Sequence, residues 1–98
     1  MDKRRKKDLL RQFKAQELAE ARRKMCLQPD QLRALHVYLD EQLNRFGIAC
    51  DKTLSRTRTW SEREGMDAEN VLASVQEFGG FCDCEVLGNV TLDKFGWE

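Results

Sequence analysis

The chain has one proline, one histidine and no apolar run of bilayer length in its 98 residues. The missing apolar run excludes a hydrophobic membrane-spanning helix, which needs about 20 consecutive apolar residues. The opening segment Met1-Asp2-Lys3-Arg4-Arg5-Lys6-Lys7 is basic but leads into no continuous apolar stretch. It does not read as a secretory signal, and a cytoplasmic protein is expected. No Cys-x-x-Cys pair, P-loop, dinucleotide fingerprint or Ser-His-Asp set is present, and these absences make an enzyme the less expected reading. A reducing compartment disfavours stable disulfides, which leaves Cys26, Cys50, Cys82 and Cys84 as free or metal-bound thiols.

Ninety-eight residues suffice for one domain with a modest core. The net charge is zero, but the charge is polarised along the chain. Residues 1–24 carry ten basic and four acidic side chains, a net of +6. Residues 66–98 carry one basic and seven acidic, a net of −6. A basic arm, a neutral middle and an acidic end follow.

The basic arm reads as a helix over residues 3–25, because Leu10, Phe13, Leu18, Ala21 and Met25 recur at near-helical spacing among good helix formers. Pro29 interrupts it and suits the first turn of a second helix, with Asp30 at the positive end of the dipole. Leu32, Leu35, Leu39, Leu43 and Phe46 form that helix's apolar stripe, and Gly47 is its expected stop. Ile48-Ala49-Cys50 reads as a short extended entry. Asp51 and Thr53 are candidate caps for a third helix, which carries Leu54, Thr57 and Trp60 inward and closes at Gly65. Asp67 caps a fourth helix bearing Val71, Leu72, Val75 and Phe78, which Gly79-Gly80 terminate. The expected fold is α+β: about four helices and a small C-terminal strand element. Residues 1–25 form a basic amphipathic helical arm and residues 26–98 a compact domain.

The strand element rests on Gly79–Val90, GGFCDCEVLGNV. In an extended chain successive side chains alternate between faces. Cys82, Cys84 and Val86 then face one way, and Phe81, Asp83, Glu85 and Leu87 the other. Pairing with Ile48–Asp51 would bring Cys50, Cys82 and Cys84 together. Three thiolates are the greater part of a tetrahedral zinc set. The fourth ligand is open among Asp51, His36, Cys26 and Asp83. The plainer alternative is that these cysteines pack as small hydrophobes, since free Cys is among the most buried residue types.

Other chemistry is less favoured. Cys50 precedes a helix and lies near Lys52 and Arg56, surroundings that lower a thiol pKa, whereas Asp83 and Glu85 raise those of Cys82 and Cys84. Asp83 and Glu85 have ion-pair partners available in Arg56 and Arg58. His36, on the edge of the second helix's stripe, is expected to be a half-buried, hydrogen-bonded packing residue. Lys3, Arg4, Arg5, Lys6, Lys7, Arg11 and Lys14 offer phosphate contacts to RNA, DNA or the ribosome. The arm, however, lacks the aromatic residues on which single-stranded bases stack. The leading expectation is a non-enzymatic interaction module, with a protein partner or a second copy engaged through the first helix. Nucleic-acid association and zinc binding stand as alternatives.

Gly79-Gly80-Phe81-Cys82-Asp83-Cys84-Glu85-Val86-Leu87, followed by Asn89-Val90, closely resembles the signature of a family of small bacterial proteins of unknown function. Cys50-Asp51-x-Thr53-Leu54 upstream, with Thr59-Trp60, resembles it too. The resemblance implies a bacterial, cytosolic single domain and transfers no activity. Many family members resemble one another in a Cys-Asp-His-Thr run, where this chain has Lys52. That departure removes the His of a Cys₃His set, and so either weakens the zinc reading for this chain or moves the fourth ligand elsewhere.

Overall fold

The computed structural model describes residues 3–45 and 50–97, with the side chains of residues 14–44 and 50–97. Among the described residues there are five α-helices: α1 (Lys3–Lys24), α2 (Pro29–Asp40), α3 (Ser55–Arg63), α4 (Ala68–Glu77) and α5 (Asp83–Asn89). A π-helical turn, Glu41–Arg45, continues α2, and a 3₁₀ turn, Leu92–Phe95, follows α5. The expected α+β fold is therefore corrected. Among the described residues there is no strand, and the GGFCDCEVLGNV segment winds into a fifth helix. The expected stop at Gly47 and the extended Ile48-Ala49 lie outside the described residues.

Local chemistry accounts for the helix limits. Pro29 occupies the start of α2, and the Gln28 N–H donates to Gln31 Oε1 at 2.7 Å, which satisfies a donor that the helix itself leaves open. The Asp67 carboxylate accepts from the N–H groups of Glu69 and Asn70 at the start of α4. Gly79, at φ +92, ends α4 in a backbone conformation that glycine adopts without a Cβ penalty. Gly80 serves a different purpose. A Cβ there would lie 2.9 Å from Cγ2 of both Val86 and Val90, so α5 packs directly onto this backbone.

The core joins Leu32, Leu35 and Leu39 of α2 to Trp60, Val71, Val75, Val86, Val90 and Phe95, all buried. Phe95 meets Phe78 edge-on at 4.8 Å and stacks on Trp97 at 4.9 Å. The C-terminal end of α1 joins this body: Met25 is buried, and Arg22 Nε donates to the Phe95 carbonyl at 2.7 Å. His36 is half-buried on α2, its Nε2 at 2.6 Å from the Val90 carbonyl. No described helix is long and apolar enough to cross a membrane.

Candidate metal centre

Asp83, the first residue of α5, positions the site. Its side chain is fully buried. The carboxylate accepts the Arg56 N–H at 3.2 Å, the Thr57 N–H at 3.0 Å and the Thr57 hydroxyl at 2.8 Å. These N–H groups belong to the first turn of α3, whose own N-cap residue, Leu54, has no capping side chain. Asp83 is thus an N-cap delivered from another element. The exchange is reciprocal, because the Asp83 N–H donates to the Thr53 carbonyl at 2.9 Å. Arg56 Nη1 lies 3.7 Å from the same carboxylate.

Asp51 organises the loop before α3, the other segment of the site. Its carboxylate accepts the Thr53 N–H and hydroxyl at 3.0 and 2.6 Å and the Ser55 hydroxyl at 3.0 Å. The Thr53 hydroxyl is the largest of the influences holding the Asp51 carboxyl below its usual value, followed by the Thr53 N–H and the Ser55 hydroxyl. Between Asp51 and Thr53, Lys52 takes φ +68, a left-handed conformation that non-glycine residues adopt at a cost.

The two carboxylates hold the segments that carry Cys50, Cys82 and Cys84, whose sulfurs all lie within 4.8 Å of one another. The Cys82 and Cys84 sulfurs are 3.3 Å apart, and all the cysteines are free thiols. Cys82 is buried, Cys50 half-buried and Cys84 exposed, so the cluster opens to the surface on the Cys84 side. Four thiolates around zinc at about 2.3 Å place sulfurs about 3.8 Å apart, a spacing that the observed separations bracket.

Electrostatics separate the thiols. Burial pushes Cys82 up to about 12; the Glu85 N–H opposes this, while the Cys84 and Cys50 thiols add to it. For Cys50 burial is again the largest influence and raises the pKa. The backbone N–H groups of Cys84 and Lys52 and the thiols of Cys84 and Cys82 together outweigh it, leaving Cys50 below its ordinary value. The lowering therefore comes from backbone dipoles and neighbouring thiols rather than from the Lys52 and Arg56 charges. For Cys82 burial, rather than the flanking carboxylates, is the main cause.

The remaining candidate residues are scattered. Asp83 is committed to α3 and Asp51 to Thr53 and Ser55. His36 bonds Val90, and the Cys26 N–H donates to the Ser74 hydroxyl across from α4. Among the described residues the metal-competent group contains only the three cysteines. Arg56 pairs with Asp83 as the sequence proposed, but Arg58 pairs with Glu69 at 2.7 Å. Glu85 is half-buried in the first turn of α5. Lys14 is exposed. The side chains of Lys3, Arg4, Arg5, Lys6, Lys7 and Arg11 lie outside the described residues.

The three thiols are identifiable from the sequence, whereas the capping role of Asp83 is not. Asp83 and Glu85 in a first turn, followed by Val86 and Val90 at four-residue spacing, were the available signal for a helix.

The molecule is thus a small helical domain with an apolar core and a cluster of three thiols that opens at its surface. Residues 35–89, which include all three cysteines and exclude α1, match the family described as "Protein of unknown function (DUF2695)". Uncharacterised proteins of Mycobacterium tuberculosis and Mycobacterium bovis are 34% identical to this chain over 89 residues, covering 91% of it and 88% of their own length. The chain belongs to this family. No solved structure matches it.

Proposed function

We propose that this protein is a metal-binding domain whose Cys50, Cys82 and Cys84 hold one zinc ion. The observation that carries the reading is the convergence of three thiol sulfurs within 4.8 Å. Convergence alone is compatible with a packed cluster of small hydrophobes, but exposed Cys84 and half-buried Cys50 are poorly explained as core. Backbone N–H groups already directed at the Cys50 sulfur favour its thiolate, the form that binds metal. Asp51 and Asp83, through their bonds to Thr53, Ser55, Arg56 and Thr57, hold the two segments that carry the ligands. Bound metal would tie the segment before α3 to the start of α5, stabilising the surface that the domain presents to a partner.

Competition with a chromophoric chelator tests this. The wild-type chain is expected to take one zinc per molecule, and Cys84→Ser to lose more affinity than the roughly 10–100-fold set by second-shell partners. Cys84 is exposed, so this variant keeps its fold and its far-UV circular dichroism. Equal zinc affinity in the wild type and Cys84→Ser would overturn the reading.

A further inference from the structure

We infer that Cys82 and Cys84 form a reversible dithiol–disulfide site, and that closing the disulfide releases the metal. The release rests on the metal-binding reading, whereas the disulfide does not. The two sulfurs are already 3.3 Å apart, one thiol donating to the other. Their backbone spacing follows from the helix. Asp83 opens α5, and the residues on either side of a helical position have Cα atoms about 5.4 Å apart by helix geometry. Disulfides span Cα separations of about 4.4–6.8 Å, with about 5.5–6 Å the commonest. An extended segment would set Cys82 and Cys84 about 6.5 Å apart, near the upper limit. Winding Asp83 into a helix therefore brings the pair to bonding distance.

Access agrees with geometry. Cys84 is exposed, so an oxidant in solution reaches its sulfur, while its partner Cys82 is buried. The Cys82 side chain makes no capping bond to α5, which leaves its sulfur free to change partner. With hydrogen peroxide as oxidant, the Cys84 sulfur attacks one oxygen and the O–O bond breaks. The other oxygen leaves as water with the thiol proton, and Cys84 becomes a sulfenic acid. The Cys82 sulfur then attacks the Cys84 sulfur. The S–S bond forms, the S–O bond breaks, and a second water leaves with the Cys82 proton. Two electrons have passed from the sulfur pair to the peroxide. In the metal-loaded chain both sulfurs are thiolates, and the two protons come from solvent. A dithiol reductant reverses the reaction by exchange, and an exposed disulfide is of the readily reduced kind. Metal is held by thiolates, so the disulfide leaves Cys50 as the one remaining ligand of the three. Cys50, whose sulfur is also within 4.8 Å of both, is the competing partner for Cys82 or Cys84.

The full chain, reduced and metal-free, is treated with one equivalent of hydrogen peroxide, alkylated and cut with trypsin. Residues 64–94 form one tryptic peptide that holds both Cys82 and Cys84, while residues 46–52 carry Cys50 and residues 25–33 carry Cys26. The 64–94 peptide is expected to be lighter by two hydrogens and to resist alkylation, with Cys50 and exposed Cys26 alkylated as free thiols. Dithiothreitol should restore both thiols. Cys50→Ser should close the same disulfide, and Cys84→Ser should not. In the zinc-loaded chain the same treatment should release zinc to a chromophoric chelator in step with the disulfide, and reduction should return it. The affinity of the oxidised chain should fall by more than the roughly 100-fold that outer partners account for, because two ligands are lost. A disulfide joining residues 46–52 to residues 64–94, or oxidation of Cys26 ahead of the pair, would overturn the inference. Zinc retained after the disulfide has closed would overturn the release. A chain that closes the disulfide but takes no zinc in its reduced form would remove the metal-binding reading and leave the dithiol site standing.

Discussion

Asp83 caps a helix to which it does not belong, its carboxylate accepting both the backbone N–H and the hydroxyl of Thr57 at 3.0 and 2.8 Å. Because Cys82 and Cys84 flank Asp83, the bonds that start α3 also place two sulfurs beside Cys50. Fold stability and thiol convergence therefore share one residue, and their loss should be correlated.

Replacing Asp83 by Asn tests that coupling. The amide nitrogen would face the donors of Arg56, and a buried ion pair would lose its anion. The expected loss is about 3 kcal/mol, read as a shift in urea midpoint, together with weaker zinc binding. Thr57→Val, which removes only the hydroxyl, should cost about 1–2 kcal/mol. Weaker zinc binding without any stability loss in Asp83→Asn would separate the two roles.

Gly80→Ala addresses the packing of α5. The new methyl would meet Val86 and Val90 at 2.9 Å and the Val75 carbonyl at 3.1 Å, leaving little room to relax. Overpacking of this kind costs about 1–3 kcal/mol, measurable by thermal unfolding. An unchanged midpoint would mean that α5 moves freely against α4.

Lys52 sits in the left-handed region beside Cys50. Lys52→Gly should stabilise the metal-free chain by about 0.5 kcal/mol, the relief of strain being partly offset by the greater freedom of glycine when unfolded. Lys52→Val should destabilise it by about 1 kcal/mol or more, since a β-branched residue tolerates this conformation least. Denaturant midpoints of the pair check the order.

Zinc should stabilise the native chain by mass action. At a free concentration about 1,000 times the dissociation constant the gain is about 4 kcal/mol. Thermal scans with zinc should show a raised midpoint for the wild type and none for Cys50→Ser.

Much of the helical framework was legible because its signals are local. Pro29, Asp67 and Gly79 mark ends through backbone geometry and hydrogen bonding within a few residues, and Leu32, Leu35 and Leu39 show a face by spacing alone. The last segment misled because the alternation of Phe81 through Leu87 fits a strand as readily as a short helix. The packing of Val86 and Val90 on Gly80, together with the bonds of Asp83 to α3, favours the helix. The meeting of Cys50 with Cys82 and Cys84 was anticipated for the wrong reason: reciprocal bonds between Asp83 and the start of α3 achieve it, not strand pairing. Asp83 as a cap for α3 was not legible, since its donors lie 26 and 27 residues away.

The most direct measurement is the native mass of the chain purified without chelator or affinity metal, compared with its denatured mass and those of the Cys50→Ser, Cys82→Ser and Cys84→Ser variants. One zinc per chain, lost on denaturation and from each variant, is the result the account predicts. A metal-free native mass that stays metal-free after incubation with equimolar zinc would contradict it and leave the three thiols as packing.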